Sequence, residues 1–200
     1  MTITRKTIAD FKSKLKGGGA RPNLFEVVFT NANVKAISGN ASKTDDFNAE
    51  EFSFLCKAAS LPASNIAAID VPFRGRIFKV AGDRTVDVWT VTIINDEDFK
   101  FRNALEKWME LIVRLSSNDG ATSPNAYMSN AVVKQLGRGE QPFSDSSSSG
   151  STTQSVLKTY KFVDIFPTNI SAIDLSYDSG DTIEEYTVEF AVNNFEIDGQ

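Results

Sequence analysis

The 200-residue sequence contains no histidine, and that absence removes more chemistry than any other feature. Without imidazole there is no Ser-His-Asp or Cys-His nucleophile pair, no histidine metal site, and no general base that titrates near neutrality. The lone cysteine, Cys56, excludes an intrachain disulfide and the clustered thiolates of most cysteine metal sites, and it suits a reducing compartment. No apolar run approaches the roughly 20 residues that cross a bilayer. The N-terminus lacks the apolar stretch of a secretory signal, so a soluble protein without a membrane anchor is expected. Only carboxylate, lysine, tyrosine or cofactor chemistry stays open to an enzyme.

What is present describes an ordinary globular chain. At 41% hydrophobic and 24% charged residues it can bury one core, and its length favours one domain over two. The net charge of −5 is unevenly spread. Arg5, Lys6, Lys12, Lys14 and Lys16 against Asp10 give residues 5–16 a local charge of +4, leaving −9 elsewhere. A basic arm over residues 1–19, with Ile8, Phe11 and Leu15 on one side, therefore precedes an acidic body over 20–200. Such an arm can remain solvated, meet another copy's body, or touch nucleic acid.

Period-2 alternation dominates the body. Leu24 to Phe29 reads as a first strand, and EFSFLCKA (51–58) as a second with Phe52, Phe54 and Cys56 on its apolar face. Pro62, Pro72 and Gly75 are expected to divide residues 60–82 into short strands suited to edges or bends. VDVWTVTIIN places Trp89, Val91 and Ile93 on one side and further apolar residues on the other, as in a central strand. The period then lengthens: Phe101, Leu105, Trp108, Ile112 and Leu115 predict one amphipathic helix over about 97–117, ended by Asn118, Asp119 and Gly120. AVVKQLG (131–137), SVLKTYKFVDIF and TIEEYTVEFAV return to extended structure, the last with Tyr186, Val188, Phe190 and Val192 inward and Glu185, Thr187 and Glu189 outward. Polar stretches at about 30–49 and 138–154 read as long loops, the first alternatively as a hairpin tip. The fold expected is mainly β: an antiparallel sandwich or barrel with one flanking helix.

Few motifs point to catalysis. Asp96, Glu97 and Asp98 offer paired carboxylates for glycoside chemistry, but acids at a helix start are equally suited to the dipole and the free N–H groups there, with Asn95 or Asp96 as cap. Gly17 to Gly19 and Gly137-Arg138-Gly139 lack the lysine and hydroxyl of a phosphate-cradling loop. Arg74, Arg76, Lys79 and Arg84 form a basic string, yet Phe73 and Phe78 interleave with it as strand core and rim would. No catalytic, cofactor-binding or metal residue is assigned.

Three stretches in combination carry a specific likeness: ARPNLFEV (20–27), FLCKAASLPAS (54–64) and above all VAGDRTVDVWTVTIINDED (80–98). A helix centred on Trp108 and FPTNISAIDLSYDS (166–179) follow in the expected places. The chain resembles the tail tube proteins of contractile-tailed, T-even-like bacteriophages. The resemblance marks Arg21, Pro22, Asn23, Gly82, Asp83, Arg84, Trp89, Asn95, Asp96, Trp108 and Pro167 as structural family positions, and Glu185 and Glu189 as candidates for a lumen wall. It implies a structural virion protein, not an enzyme and without cofactor, assembled in the host cytoplasm. Six copies would close into a ring, and rings would stack helically into a tube through which double-stranded DNA leaves without specific binding. Expected partners are the tail sheath, the baseplate or tube initiator, tape measure and tail terminator proteins. A tube initiator, or the inner tube of a type VI secretion-like machine, would share the fold. The basic arm, the 30–49 connection and the serine-rich 138–154 segment depart from the family pattern.

Overall fold

Alternating apolar residues form the larger sheet of the protein. The computed structural model describes residues 7–15, 19–30, 49–61, 63–140, 154–178 and 180–198. The expected loop at 30–49 and the serine-rich stretch lie almost wholly outside them. In chain order the elements are α1 (Ile8–Lys14), β1 (Phe25–Phe29), α2 (Ala49–Leu55), β2 (Cys56–Ala59), β3 (Ser64–Phe73), β4 (Arg76–Val86), β5 (Trp89–Ile94), α3 (Lys100–Ile112), α4 (Pro124–Tyr127), β6 (Ser129–Glu140), β7 (Gln154–Ile170) and β8 (Glu185–Asp198). Six strands make one sheet in the order β1-β6-β7-β8-β5-β2, and β3 pairs with β4 in a separate two-stranded sheet. The fold is mainly β and antiparallel with a flanking helix, as its alternation predicts.

The described chain divides into two compact units, 27–132 with 161–196, and 1–26 with 133–160 and 197–200. In the larger unit β5 runs antiparallel to both β8 and β2, an interior position. Trp89, Val91 and Ile93 are fully buried, and they pair with Phe190, Val188 and Tyr186 on β8. Trp89 stacks on Phe162 at 4.8 Å between centroids. Phe29 meets Phe52, Trp108 and Phe190 edge-on or tilted within 6.5 Å. Helix α3 closes this aromatic cluster with Phe101, Ala104, Leu105 and Trp108, and the Trp108 indole N–H donates to the Tyr127 carbonyl at 2.7 Å. In the smaller unit, Lys134 pairs with Glu26 at 2.8 Å and the Gln135 amide donates to the carbonyls of Arg21 and Leu24 at 2.7 Å.

Three expectations are corrected. Residues 51–55 are helical, because Phe52 and Cys56, four apart, share one buried side while Phe54 points away and is 86% exposed. The helix expected to 117 stops at Ile112. A Cβ on Gly120 would lie 1.9 Å from the Ile112 carbonyl oxygen, so the chain returns directly across the helix end and only glycine fits there. Arg114 and Ala121 N–H groups then bond to Asp119 and Leu111 carbonyls, and Leu115 is left 95% exposed, off the core face. Finally, residues 64–86 form two long strands and not several short ones. Pro72 is accommodated because β3 bonds to a partner on one side only, and the turn at Arg74 and Gly75 has positive φ at both positions (45° and 77°), the geometry of a two-residue hairpin loop.

The two buried tryptophans differ in one respect that can be measured. The Trp89 indole nitrogen has no acceptor among the described residues, whereas that of Trp108 has Tyr127. Replacing either by Phe removes similar volume, but Trp108→Phe also strands a carbonyl, at a cost of roughly 1 kcal/mol more. Urea unfolding should rank Trp108→Phe below Trp89→Phe; the reverse order would remove that hydrogen bond from the account of the core.

Candidate assembly surface

The β3–β4 hairpin is amphipathic with no cover on its apolar side among the described residues. Cross-strand partners share a face. On one face stand Ile69 opposite Val80, Val71 opposite Phe78, and Phe73 opposite Arg76; on the other are Ala68 with Ala81, Asp70 with Lys79, and Pro72 with Ile77. Ile69, Val71, Phe73, Phe78 and Val80 are 42% to 67% exposed, so the continuous apolar face lies open. The opposite face is bound by the Lys79–Asp70 pair at 2.9 Å. Contiguous apolar surface of this kind marks a protein interface. Sequence reading missed it, although the apolar residues are spaced symmetrically about Arg74-Gly75; arginine at the first turn position is not the usual asparagine or aspartate.

Motif residues anchor the hairpin's base. A Cβ at Gly82 would meet the Ala67 carbonyl oxygen at 3.0 Å and Ile69 Cγ1 at 3.1 Å, beside the register shift between Ile66 and Ala68. The glycine thus lets the bulged strand cross close to its partner. Arg84 Nε donates to Ser64 Oγ at 2.5 Å, and its guanidinium lies 5.3 Å over the Phe195 ring. Asp83 is exposed. Arg74, Arg76 and Lys79 lie at the hairpin tip or along its strands, with Arg74 over Phe73 at 5.4 Å.

The other marked positions are spread through the fold and do not converge. Pro22 and Asn23 form an exposed turn before β1, closed by Leu24 N–H to the Arg21 carbonyl at 3.2 Å. Trp89 and Trp108 are core, and Pro167 is buried in β7. Asn95 donates to Glu184 Oε2 at 2.9 Å, tying the end of β5 to the start of β8. Asp96 accepts the Lys100 N–H at 3.1 Å, which serves the first turn of α3, while Phe99 at the helix boundary has φ 53°. The N-cap position is therefore Phe99 and neither Asn95 nor Asp96, because the helix starts at Lys100; Asp96 reaches the first N–H from three residues before the cap. Glu185 is exposed and paired with Lys57 at 2.5 Å; Glu189, half-buried, follows four residues along on the same face. With Thr187 and the β5 partners Thr90, Thr92 and Ile94, these make the largely polar side of the sheet opposite the Trp89 core.

The groups still open to enzyme chemistry are poorly placed for it. Burial pushes the Tyr186 hydroxyl well above its ordinary pKa, although the Arg102 guanidinium stacked 5.3 Å over the ring opposes that shift. Burial likewise pushes the Cys56 thiol up to about 12. Glu97 and Asp98 are exposed. Among the described residues no cluster of acids and cysteine has the arrangement of a metal site.

Comparison with known proteins agrees with this distribution. The family described as "Phage tail tube protein" matches residues 20–198. The chain is 30% identical over 180 residues to tail tube protein gp19 of Enterobacteria phage T4, covering 90% of this chain and 93% of that protein, and the same figures hold for gp19 of Enterobacteria phage T6. The chain belongs to the phage tail tube protein family. Among solved structures it is similar to a chain of the anti-feeding prophage baseplate, with TM-score 0.57, 11% identity, and coverage of 90% and 96%. It is similar too to a chain of the PVC sheath/tube terminator of an extracellular contractile injection system, with TM-score 0.55, 12% identity, and coverage of 90% and 97%. At such identity these two report the fold. The role of this tail tube protein is structural, in the virion tail.

Two outcomes follow for the site residues. Asp96→Ala should lower stability by about 1 kcal/mol through loss of its bond to Lys100 N–H, while Glu97→Ala should leave it unchanged. Equal melting temperatures for both variants would contradict a stabilising role for that bond. Cys56 should resist alkylation at pH 8 in the folded protein, because its thiol stays protonated, and react once urea unfolds the chain; rapid native-state labelling would overturn its placement.

Proposed function

We propose that this tail tube protein acts as a ring-forming subunit. Six copies close head to tail, the rings stack helically into the inner tube of a contractile tail, and double-stranded DNA passes through the lumen without specific binding. The observation that carries this is the open apolar face of the β3–β4 hairpin, which a neighbouring copy covers in the ring. Heterologous contacts, one surface meeting a different one on the next copy, build closed rings and filaments. The activity is assembly and not catalysis, and it takes place in the host cytoplasm before the tail joins the virion.

A conduit must not grip its cargo. Duplex DNA carries one charge per roughly 1.7 Å and binds basic walls by releasing counterions. Six copies at −5 carry about −30 per ring, which suits repulsion. The polar face of β5 and β8 is the proposed lumen wall. Glu189 supplies its net negative charge there, since Lys57 offsets Glu185. The basic stretch 1–19 and the 30–49 connection are assigned to contacts between successive rings. The tube meets a sheath outside, a tape measure within, and an initiator and terminator at its ends.

The decisive variant is Phe78→Asp. Phe78 is 67% exposed, so the isolated chain should keep its melting temperature. With a preformed tube end supplied as template, electron microscopy and sedimentation should then find rings and tubes for the unaltered chain and monomers for the variant. Tubes of normal yield from Phe78→Asp would remove the hairpin from the interface. Assembly that halts at one ring would favour the initiator reading.

A further inference from the structure

Two further surfaces are unpartnered, and they complement each other. The first is α1. Its start is closed locally: Thr7 Oγ1 accepts from the Asp10 N–H at 3.3 Å and the Asp10 carboxylate accepts from the Thr7 N–H at 2.9 Å, which holds the Asp10 carboxyl below its usual range. Ile8, Phe11 and Leu15 recur on one side of the helix and are 76%, 65% and 43% exposed; the helix buries nothing. Lys12 and Lys14 have no ion-pair partner among the described residues. Such a short helix draws too little from its own backbone to be secure, and its apolar stripe gains only when something covers it.

The second is a groove of about 690 Å³ along α3, with Met109, Ile112, Val113, Leu115 and Pro167 as its apolar part and Asn103, Glu106, Lys107 and Glu110 as its polar part. Val113 and Leu115 are exposed, and Glu110 has no ion-pair partner among the described residues. The stretch of α3 that lines it runs about 15 Å and α1 about 10 Å, at 1.5 Å per residue. An apolar floor with a free carboxylate matches a helix with an apolar face and free lysines, the arrangement of a helix-in-groove contact.

We propose that α1 of one copy docks its Ile8, Phe11 and Leu15 face into this α3 groove of a second copy, its lysines meeting Glu110. The proposal deepens the assembly reading and rests on it for the presence of neighbouring copies. Every copy carries both surfaces, so the contact repeats along a polymer without a second protein.

The test mixes chains carrying Phe11→Cys with chains carrying Leu115→Cys under assembling conditions and oxidises them. A disulfide linking one of each is expected, in excess over links between like chains; buried Cys56, its thiol protonated, stays silent. Adding Glu110→Lys should reduce the mixed link severalfold, and Lys12→Glu with Lys14→Glu in the other chain should restore it. Absence of the mixed link, indifference to Glu110→Lys, or a link formed inside one doubly substituted chain would overturn the docking. Imaging of the same samples separates the two readings. Tubes without the link end the docking alone, a link without rings or tubes ends the tube reading alone, and neither ends both. All substituted positions are exposed, so melting temperatures should stay near that of the parent chain.

Discussion

An apolar hairpin face that its own unit leaves uncovered is the constraint on which the rest of this protein depends. Five large side chains on β3 and β4 project from one side of a two-stranded sheet whose strands, among the described residues, pair only with each other. Two-stranded ribbons are marginal in water unless something packs against them. Evolution commonly blunts such surfaces with charge, and here the charges are displaced to the opposite face and the tip: Asp70 with Lys79, then Arg74 and Arg76. The apolar side carries charge only at its tip end, where Arg76 stands opposite Phe73, as a surface awaiting a partner would.

That exposure is tolerable because folding does not rely on the hairpin. The larger unit is held by an aromatic cluster of Phe29, Phe52, Trp89, Trp108, Phe162 and Phe190, most of it fully buried. Gly82, Arg84 and Asp87 hold the hairpin's two strands together at its base, Arg84 through Ser64 and Asp87 by accepting from the Asn65 amide at 3.1 Å and by its own N–H to the Ala63 carbonyl, while the Arg84 guanidinium over Phe195 reaches β8 of that body. The segment that looked most like a motif, VAGDRTVDVWTVTIINDED, accordingly divides between a hairpin strand, an interior core strand and the start of α3. At its acidic end Asp96 bonds the first N–H of α3, and the order of the segment is architectural.

Sequence patterning revealed those elements whose stability is local or whose burial is one-sided. Strand β5, strand β8 and the core stripe of α3 are legible because Trp89, Val91 and Ile93, or Phe101, Leu105 and Trp108, keep one period along the whole element. Helix α2 is not, since Phe52, Phe54 and Cys56 alternate by composition while tertiary packing uses only the first and last. The end of α3 is hidden for a similar reason: Ile112 is its last residue because the chain at Gly120 passes over it, a contact between positions eight apart that no propensity reports. The assembly surface was the least legible. Pro72 and Gly75 read as breaks, and only the pairing of Val71 with Phe78 and Ile69 with Val80 turns scattered apolar residues into a face. The family motifs pointed to architecture and gave no hint of that surface.

Magnitudes explain why a protein with so open a surface need not clump. Full burial of a large apolar side chain yields about 1.5 to 3 kcal/mol, so five that are already half-covered gain on the order of 5 kcal/mol together. Association of two proteins forfeits roughly 4 to 15 kcal/mol of rigid-body freedom. One hairpin contact therefore leaves two copies near balance. On the proposed assembly, a copy joining an existing ring makes contacts to both lateral neighbours and to the ring beneath while losing its freedom only once. Growth on a preformed end is then favourable where pairing in solution is not. On that proposal a subunit tuned in this way stays dispersed until a template presents several surfaces together, and elongates from there.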